Sequence, residues 1–375
     1  MNVLVTGSNG FVGKNLVSEL KNIRDKKNKK YDVELNIFEY DLGINEDKLN
    51  YFCENADFVF HLAGVNRPKN ESEFMEGNFG FTSTLLSTLK KHSNKAPVLI
   101  TSSIQAALDN PYGKSKKAGE DLVFKYGKDN DVNVYVFRLA NVFGKWCKPN
   151  YNSVIATFCY NISHDLPIKI NDENATLTLV YIDDVIKSFL QKLFSNEKCS
   201  EILSIPTVYS VKLGDIANLL YDFKNAYNFV PDVSNEFTKK LYSTYLSYLA
   251  HDKFSHGLKM NIDNRGSFTE MFKTPSFGQI SVNISKPHIT KGNHWHHTKV
   301  EKFVVVYGKG VIRFRNIFSD EVIEYFVSGD KIEVVDIPAG YTHNIENLGD
   351  TDMVTIMWCN EHFDPQNPDT YFEEV

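Results

Sequence analysis

Three side chains have the types and the spacing needed to move a proton onto or off a carbonyl oxygen. Tyr112 lies nine residues after Ser103 and four residues before Lys116. Residues four apart share one face of a helix. An ammonium group in that position favours the phenolate and lowers the pKa of tyrosine from about 10 toward about 7. We therefore expect Ser103 to hold a carbonyl, Tyr112 to exchange a proton with its oxygen, and Lys116 to tune the tyrosine.

Ser102 is the alternative to Ser103 in this set. The two serines stand together at the end of the apolar run from Val98 to Thr101. Neighbouring residues of a strand point to opposite faces of the sheet, so only one of the two can face the tyrosine. The residues alone leave this choice open.

A glycine-rich turn near residue 10 could hold the cofactor of a hydride transfer. The pattern Gly-x-x-Gly-x-x-Gly follows the apolar stretch from Asn2 to Val5 and opens an amphipathic one. Glycine permits a tight turn and a close approach of backbone to a pyrophosphate, and the N-terminus of the following helix favours phosphate. The turn therefore predicts dinucleotide binding. The residues predicted to contact the dinucleotide are Gly7, Ser8, Asn9, Gly10, Phe11, Val12 and Gly13.

A second group of residues has the composition of a metal site. In an extended segment His294 and His296 point to the same side, Glu301 begins the next apolar run, and His343 comes from a distant one. Three imidazoles and one carboxylate suit Zn²⁺, Fe²⁺ or Mn²⁺ with open coordination positions. His297 could replace His296 as a ligand, or it could stand beside the metal as a proton-transfer group.

The elements that must position the first group alternate between short apolar strands and helix-period stretches. This alternation predicts an α/β fold with a doubly wound parallel sheet and helices on both faces. The predicted strands are Val3 to Thr6, Val33 to Phe38, Phe58 to Ala63, Val98 to Ser102 and Val134 to Arg138. The clearest predicted helices are Phe11 to Lys21 and Phe79 to Lys91.

The elements around the second group differ in character. Many short strands, separated by Gly, Asp and Pro, predict an antiparallel sandwich or barrel. They are Gln279 to Ile284, Lys302 to Val306, Val311 to Phe314, Val322 to Phe326, Ile332 to Val335 and Met353 to Trp358. We therefore predict two domains, residues 1–245 and residues 252–375.

Composition narrows the class of protein. A chain of 375 residues, 42% hydrophobic and 23% charged, has room for two cores. The net charge of −6 and the lack of a basic face argue against nucleic-acid binding, and no apolar run is long enough to span a membrane. Scattered cysteines predict reduced thiols in a cytoplasmic protein rather than disulfides. The cysteines are Cys53, Cys147, Cys159, Cys199 and Cys359.

These motifs together resemble the short-chain dehydrogenase/reductase superfamily, in particular its extended sugar-nucleotide branch. The stretch from His61 to Gly64 is similar to the family's cofactor-contacting turn, and the stretch from Tyr181 to Val185 is similar to its Tyr-Val-Asp-Asp-Val segment. The resemblance implies a Rossmann-like domain with a nicotinamide cofactor, and it favours the second serine of the pair. The further cofactor contacts that it implies are Leu62, Ala63, Gly64, Tyr112 and Lys116.

The choice of nicotinamide nucleotide rests on two indications that disagree. Glu39 or Asp41, at the end of the second predicted strand, would pair with the ribose hydroxyls of NAD. The whole-chain resemblance described below implies NADPH. We expect NADPH, with NADH as the alternative.

The two histidine segments resemble the paired motifs of the cupin family. The first reads His-x-His-x4-Glu-x6-Gly from His294 to Gly308, and the second reads Pro-x-Gly-x2-His-x3-Asn from Pro338 to Asn347. The resemblance implies an all-β jelly-roll barrel with a bound metal. We expect Zn²⁺, with Fe²⁺ or Mn²⁺ as alternatives.

The segment from Asp263 to Glu270 resembles the Asp-x-Arg-Gly-x-Phe-x-Glu signature of nucleotide-sugar 3,5-epimerases. This resemblance implies that Arg265 and Glu270 hold the nucleotide diphosphate and the sugar. Those epimerases place a catalytic histidine near the position of His294 and carry no metal, so the identity of their base does not transfer. We assign three further residues to substrate binding: Asn66, Arg67 and Gln279.

The whole length resembles a family of bifunctional enzymes of bacterial capsule synthesis, on the pathway to UDP-N-acetyl-L-fucosamine. The similarity includes the long stretch from Gly144 to Tyr160. It implies that the second domain epimerises C3 of a UDP-2-acetamido-2,6-dideoxy-4-hexulose and that the first reduces the C4 ketone with NADPH. The substrate is then a UDP-linked 4-keto-6-deoxy-N-acetylhexosamine and the product UDP-2-acetamido-2,6-dideoxy-β-L-talose. We expect a homodimer.

The epimerising proton carrier and the role of the second domain have several candidates. His297 and Lys302 are the predicted catalytic residues there, and Tyr341 is a further candidate. The domain could instead be a sugar-binding or dimerising module with a structural metal, or an Fe²⁺ oxygenase. The first domain could be a cofactor-binding regulator.

Overall fold

The structure is a computed structural model that describes residues 1–195 and 200–375. The chain forms two compact units: Met1–Tyr221 with Glu236–Ala250, and Asp222–Asn235 with His251–Val375. It therefore passes between the units three times, and the last passage lies between Ala250 and His251. The excursion of residues 222–235 into the second unit was not predicted. The assignment of a reductase and a cupin to the two predicted ranges stays a prediction.

The first unit alternates strands and helices. Its strands are β1 (Asn2–Thr6), β2 (Asn36–Tyr40), β3 (Phe58–His61), β4 (Val98–Ser103), β5 (Val134–Leu139), β6 (Asn141–Phe143), β7 (Thr176–Tyr181), β8 (Ser200–Leu203) and β9 (Tyr209–Lys212). The helices of the chain are α1 (Phe11–Arg24), α2 (Glu46–Asn55), α3 (Ser72–Met75), α4 (Phe81–Lys91), α5 (Pro111–Asn130), α6 (Val154–Ser163), α7 (Ile182–Leu193), α8 (Leu213–Asn225) and α9 (Glu236–Leu246). A π-helical turn, Glu76–Gly80, precedes α4, and a 3₁₀ turn, Ile104–Ala107, precedes α5.

The main sheet has the order β2-β1-β3-β4-β5-β8, and all its pairings are parallel. The predicted parallel sheet is confirmed. The strand order reverses at β1, so the carboxyl ends of β1 and β3 flank a crevice of the kind that binds ligands in such sheets. Three strands, β6, β7 and β9, form a smaller mixed sheet.

The core of this unit explains why the strands are continuous apolar runs. Leu4, Val59 and Ile100 of the sheet pack in one cluster with Leu85 of α4 and Val123 of α5. A parallel sheet is covered by helices on both faces, so its strands are buried on both sides. The apolar periodicity that predicted these strands is a direct result of this double burial.

The predicted strand Val33 to Phe38 was displaced. The strand observed is β2, Asn36–Tyr40, which pairs from Asn36 opposite Asn2. Among the described residues its partner is β1, which begins at Asn2, so the described strands offer no partner to the residues before Asn36. Leu35 is buried without being part of the sheet, which is why the apolar pattern started too early.

The second unit consists of two antiparallel sheets. Its strands are β10 (Met260–Asp263), β11 (Gly266–Thr274), β12 (Gly278–Ser285), β13 (Thr290–Trp295), β14 (Glu301–Tyr307), β15 (Lys309–Asn316), β16 (Val322–Ser328), β17 (Val335–Ile337), β18 (Tyr341–Asn347), β19 (Met353–Cys359) and β20 (Tyr371–Phe372). The sheet orders are β10-β11-β12-β19-β14-β17 and β16-β15-β18-β13-β20. Both sheets contribute to one core, with Phe303 and Met353 from the first and Ile312, Phe314 and Ile345 from the second, so they pack face to face. The predicted antiparallel β-rich region is confirmed.

The predicted strand Ile332 to Val335 was wrong. Ile332 and Val334 are 63% and 58% exposed, and the strand formed is β17, Val335–Ile337, which pairs with β14. Only Val335 and Ile337 are buried. An apolar run is therefore not a strand when its residues have neither a partner nor a core to face.

Four of the five cysteines lie among the described residues. The cysteines among the described residues, Cys53, Cys147, Cys159 and Cys359, form no disulfide, and Cys199 lies outside the described residues. None of the helices in the described ranges combines the length and the apolar character that crossing a membrane requires.

Candidate functional site

The glycine turn after β1 is built from close backbone contacts. Gly7 has φ +69°, and a Cβ there would lie 2.6 Å from the amide nitrogen of Ala63 in the turn after β3. A Cβ on Gly13 would lie 2.1 Å from the carbonyl oxygen of Gly7. The N-cap residue of α1 is Gly10, which has no side chain to cap the first amides of the helix. These amides are therefore available to a phosphate at the crevice.

The carboxylates at the end of β2 stand beside this turn. The carboxylate of Asp41 accepts a hydrogen bond of 2.6 Å from the amide of Asn9, and Glu39 forms an ion pair of 2.7 Å with Lys21. Asp41 is thus the carboxylate that contacts the glycine turn. The choice between NADPH and NADH stays a prediction.

His61, at the end of β3, is a neutral structural residue. Thr82 donates its hydroxyl proton to the carbonyl of Asn78 at 2.6 Å, so it accepts from Nε2–H of His61 at 2.8 Å. Nδ1 of His61 then accepts from Thr6 at 2.7 Å, which fixes the tautomer. Burial, assisted by the charge of Lys116, lowers the pKa of His61 to about 3. The residue joins β1, β3 and α4 below the crevice.

Ser103, Tyr112 and Lys116 come together between the end of β4 and the first turns of α5. Ser103 hydrogen-bonds the phenol of Tyr112, and its Oγ also accepts from the amide of Gln105 at 3.2 Å. The Nζ of Lys116 lies 5.9 Å from the ring centroid of Tyr112 and donates to the carbonyl of Thr101 at 3.3 Å. The predicted set therefore shares one place in the fold.

The pKa values of this set differ from the prediction. Burial raises the pKa of Tyr112, and the hydrogen bond from Ser103 opposes that rise only in part. Burial lowers the pKa of Lys116 to about 8, against the charge of Glu120, which raises it. In the free chain the pKa of the phenol is therefore raised, not lowered, because both groups are desolvated together. Tyr112 is protonated at neutral pH, the form that can donate a proton.

Ser102, the alternative serine, is engaged elsewhere. Its Oγ donates to Glu120 at 2.6 Å. Glu120 is fully buried and also accepts two hydrogen bonds, of 2.8 and 2.7 Å, from Arg138. A charge buried in this way needs such partners. Ser102 therefore belongs to a structural ion-pair network and Ser103 faces the tyrosine.

Asn78 is a residue of this site that the sequence did not indicate. It lies in the π-helical turn Glu76–Gly80 and is buried. Its Nδ2 donates to the carbonyl of Val65 and to Ser115, at 2.9 and 3.0 Å, and its Oδ1 accepts from the amide of Val65 at 3.0 Å. The side chain thus holds the loop after β3 against α5. Apolar periodicity in the sequence does not mark Asn78. In the structure its position in a π-helical turn does, because such turns are common at functional sites.

Two of the predicted substrate residues lie in the same loop. Asn66 and Arg67 are exposed and follow β3. The predicted cofactor residues Leu62, Ala63 and Gly64 precede them, and a Cβ on Gly64 would lie 3.0 Å from the Nζ of Lys116. The backbone after β3 therefore passes directly over the lysine.

The four predicted metal ligands come together inside the second unit. His294, His296, Glu301 and His343 each offer an atom within 4.8 Å of the others. The Oε2 of Glu301 lies 3.2 Å from Nε2 of His343 and 3.5 Å from Nε2 of His296. All three of these atoms are buried and have no hydrogen-bond partner. Orphaned buried acceptors converging on one point fit a cation, and the three-histidine, one-carboxylate set suits Zn²⁺.

Backbone carbonyls orient the three imidazoles. The Nδ1 of His296 bonds the carbonyl of Asp369 at 2.6 Å, the Nδ1 of His343 lies 3.4 Å from the carbonyl of Tyr341, and His294 bonds the backbone of Gly292. A donated Nδ1–H leaves Nε2 as a free acceptor, which is how metal-binding histidines are usually held.

The protonation states of His294 and Glu301 suit metal binding. Burial lowers the pKa of His294 to about 4, with the charge of His343 adding to the effect, so this imidazole stays neutral. Burial alone would raise the pKa of Glu301, but its contacts with His296 and His343 lower it to about 2. Neutral imidazoles and an ionised carboxylate are the forms that bind a metal.

His297, Lys302 and Tyr341 do not join the cluster. His297 is exposed and packs between Trp295 and Tyr371, with ring centroids 4.5 and 5.1 Å away. Lys302 is exposed and ion-paired with Asp336. Tyr341 packs against the core of the sandwich. Lys302 is next to Glu301 in β14 and points to the opposite face of that sheet, and none of the three residues lines the cavity beside the cluster. Their predicted proton-transfer roles stay predictions.

A cavity of about 810 Å³ opens onto the metal cluster. The predicted substrate residues Arg265, Glu270 and Gln279 line it, together with two residues that were not predicted, Lys291 and Cys359. The Nζ of Lys291 donates to Asn283 and to the carbonyl of Ile284, each at 2.8 Å, and burial lowers its pKa. Cys359 lies across from Glu301 in the strand register. Neither residue belongs to a motif in the sequence. Their positions in the folded strands identify them as cavity residues.

Comparisons with known proteins agree with this arrangement. Residues 3–205 match the NAD dependent epimerase/dehydratase family, and residues 261–371 match the polysaccharide biosynthesis C-terminal domain. A UDP-2-acetamido-2,6-beta-L-arabino-hexul-4-ose reductase of Pseudomonas aeruginosa is 43% identical over 99% of this chain and 98% of its own.

Solved structures extend the comparison to the fold. The capsular polysaccharide assembling protein CapF from Staphylococcus aureus superposes with a TM-score of 0.92 at 54% identity over the full length of both chains. A UDP-glucuronic acid 4-epimerase from Bacillus cereus, in complex with NAD, matches 66% of this chain and 96% of its own with a TM-score of 0.56 at 20% identity. The second similarity shows only that the fold is shared.

Proposed function

The chain belongs to the NAD dependent epimerase/dehydratase family, and on this basis we propose that its first unit reduces a ketone of a nucleotide sugar. The similarity to a UDP-2-acetamido-2,6-beta-L-arabino-hexul-4-ose reductase extends over 99% of the chain, and this full-length similarity carries the proposal. The substrate is a UDP-linked 4-keto-6-deoxy-N-acetylhexosamine, and the product is UDP-2-acetamido-2,6-dideoxy-β-L-talose.

NADPH is the proposed cofactor, held by the glycine turn Gly7–Gly13 and the turn Leu62–Gly64, with NADH as the alternative. When bound in the crevice, NADPH would supply the hydride for the C4 carbon. Ser103 donates a hydrogen bond to the ketone oxygen and holds it near Tyr112. Tyr112 gives its proton to the oxygen as the alkoxide forms, and Lys116 orients the sugar edge of the cofactor and supplies positive charge. The raised pKa of Tyr112 keeps it protonated until that step.

The second unit is proposed to be a cupin jelly roll that epimerises C3 of the same sugar. His294, His296, Glu301 and His343 would hold a Zn²⁺ ion, which as a Lewis acid stabilises negative charge on a ketone or enolate oxygen. The C4 ketone acidifies the C3 hydrogen, because the carbanion left after its removal delocalises onto the ketone oxygen. Removal of a proton from one face and its return to the other inverts C3. Subsequent reduction of the ketone prevents reversal.

Lys291 is proposed as one of the groups that carry this proton, because its side chain lines the cavity. Its amine is partly desolvated inside the cavity, and the lowered pKa brings it nearer to neutrality, where a general base is most effective. Arg265 and Gln279, which line the same cavity, are proposed to hold the nucleotide and the sugar.

The experiment separates the two steps. The protein is incubated with the UDP-linked 4-keto sugar in D₂O, and oxidation of NADPH and deuterium at C3 are followed together. Y112F should lose reduction by about 10²–10⁴-fold and keep both cofactor binding and deuterium uptake. E301Q should lose deuterium uptake at C3 and keep cofactor binding. Y126F, which removes a phenol hydroxyl from the same helix outside the set, is the matched control.

Two outcomes contradict the proposal. Full reductase activity in Y112F removes the catalytic assignment of the tyrosine. Absence of deuterium at C3 with the wild-type protein and its metal reduces the second unit to a sugar-binding or dimerising module with a structural metal.

A further inference from the structure

Residues 368–373 run along the metal cluster without contributing a ligand to it. Within this segment β20 (Tyr371–Phe372) pairs with β13, which places Phe372 opposite His294. The amide of Glu373 continues this pairing by donating to the carbonyl of Asn293 at 3.0 Å. The strand that carries the first ligand therefore has this segment as its outer neighbour.

The carboxylate of Asp369 holds the loop between the second and third ligands. One oxygen accepts from the amide of His297 at 3.0 Å. The other accepts from the amides of Thr298 and Lys299, at 2.9 and 3.0 Å, and from the hydroxyl of Thr298 at 3.1 Å. Three consecutive amides that point to one carboxylate are fixed relative to each other. The loop has no strand or helix of its own, so bonds to other segments hold it, and this carboxylate makes four of them.

The carbonyl of the same residue orients a ligand directly. Nδ1 of His296 bonds the Asp369 oxygen at 2.6 Å, so Nε2 faces Glu301. The two polar groups of Asp369 thus act together: the side chain fixes the loop, and the backbone fixes the imidazole that begins it.

Two further contacts connect the segment to the loop and to the remaining ligand strand. The buried amine of Lys299 donates to the carbonyl of Pro368 at 2.8 Å. Thr342, next to His343 in β18, donates its hydroxyl to the carbonyl of Glu373. The side chain of Glu373 in turn pairs with Arg315 at 2.9 Å. Residues 368–373 therefore contact β13, the ligand loop and β18.

We propose that residues 368–373 are a positioning element for the metal site and that Asp369 is its central residue. This inference rests on the metal-binding part of the proposed function. A site whose ligands are held in advance binds its ion more tightly, because less conformational freedom is lost on binding. Loss of the Asp369 carboxylate should release the loop that carries His296 and leads to Glu301, while all four ligands remain in the sequence.

The test compares full-length D369N and D369A with the wild-type protein. The asparagine variant keeps the size of the side chain, but its amide nitrogen must face backbone N–H donors that the carboxylate satisfied. Affinity for Zn²⁺ is measured by competition with a chromophoric chelator, and the ligand geometry by the visible absorption spectrum of the Co²⁺-loaded protein. We expect affinity to fall by about 10–100-fold, the range typical of residues that orient metal ligands, with a changed Co²⁺ spectrum.

D364N is the matched control. Asp364 is a nearby aspartate that caps its own turn through the amide of Gln366 and does not touch the ligand loop. Its variant should bind Zn²⁺ as the wild type does. T342V removes only the hydroxyl contact to Glu373 and should weaken binding less than D369A, which keeps the inference testable if D369A fails to fold.

The outcomes distinguish this inference from the proposed function. Wild-type affinity and an unchanged Co²⁺ spectrum in D369N and D369A would remove the positioning role and leave the metal site intact. A wild-type protein that binds neither ion would overturn both the metal site and the role of Asp369. If metal-free D369N and D364N have the same free energy of unfolding, but D369N binds Zn²⁺ more weakly, then Asp369 positions the metal ligands and is not needed for overall stability.

Discussion

The protonation states of single residues suit the direction of the proposed reduction. Tyr112 must begin protonated in order to quench an alkoxide, and its raised pKa keeps it so. Lys116 lies in the same desolvated region and has a pKa lowered to about 8, so it still carries its charge at neutral pH. His61 stays neutral beneath them and adds no competing charge.

The buried amine predicts a pH dependence of stability. The pKa of Lys116 is about 8 in the folded chain and 10.5 in the reference state, so the unfolded chain binds this proton more tightly between these values. The free-energy cost of burying the charged amine applies in full below about pH 8. It decreases as pH rises from about 8 toward 10.5, where the amine of the unfolded chain also loses its proton. The unfolding free energy of the wild type should therefore rise relative to that of K116M by about 1–2 kcal/mol between about pH 7.5 and about pH 9.5.

Urea denaturation of both proteins at the two pH values measures this difference. The comparison with the variant is needed because the buried thiols act in the opposite direction. Burial raises the pKa of Cys53 to about 12 and that of Cys147 to about 11, so they favour the folded state less as pH rises. A constant difference between wild type and K116M would contradict the prediction.

The residue types of both sites could be predicted from the sequence, but their protonation could not. Spacing identified Tyr112 and Lys116 as partners because helical geometry fixes which residues share a face. Burial of the phenol depends on residues far away in the sequence, and this burial decided the sign of the shift. For the same reason the sequence left His296 and His297 as alternatives, and the bond to Asp369 places only His296 in the cluster.

At the scale of elements, the turns after β1 and β3 depend on the absence of side chains. The glycine turn packs so closely that a methyl group at position 13 would lie 2.1 Å from a carbonyl oxygen. The first amides of α1 can reach a phosphate only if this turn keeps its shape.

Gly13→Ala should therefore weaken both folding and cofactor binding. The methyl group forces the backbone of the turn to move, and overpacking of this kind costs about 1–3 kcal/mol. Denaturant unfolding and a fluorescence titration with NADPH measure the two effects. Gly257→Ala is the matched control, because a Cβ at Gly257 has no atom within 4 Å. Equal behaviour of the two variants would show that the close contact at Gly13 relaxes without cost.

Elements with an apolar core face could be predicted, and several strands that bury polar side chains could not. β4 and β14 were found because most of their buried residues are Val, Ile, Leu and Phe. Strands β11, β13 and β18 were missed as strands because polar residues occupy positions where apolar alternation was expected. In β18 the buried residues include Thr342, His343 and Asn344. A strand that buries polar side chains loses the apolar alternation that would reveal it.

At the scale of the whole molecule, the two sites belong to separate compact units with separate cores. A ligand that binds only the folded state stabilises the part of the protein in which its site lies. The metal should therefore protect one unit selectively.

Metal removal tests this selectivity. At a free Zn²⁺ concentration about 100 times the dissociation constant, the second unit should gain about 2.7 kcal/mol. Hydrogen–deuterium exchange with and without a chelator should then show slower exchange in peptides of β13, β14 and β18 and no change in those of β1 to β5. His343→Asn should abolish the effect of Zn²⁺. Equal protection of both units, or an effect that survives in the variant, would count against the assigned site.

The path of the chain determines how the protein can be divided. In the excursion of residues 222–235, the amide of Val230 donates to the carbonyl of Lys273 and the amide of Lys273 to that of Asn228, each at 2.7 Å. A fragment that stops at Ala250 contains this excursion but lacks its partner strand, β11. Phe229 and Val230 then have no strand to pair with, and the fragment is prone to aggregate. Separate production of the two halves therefore requires a linker in place of the excursion as well as a cut.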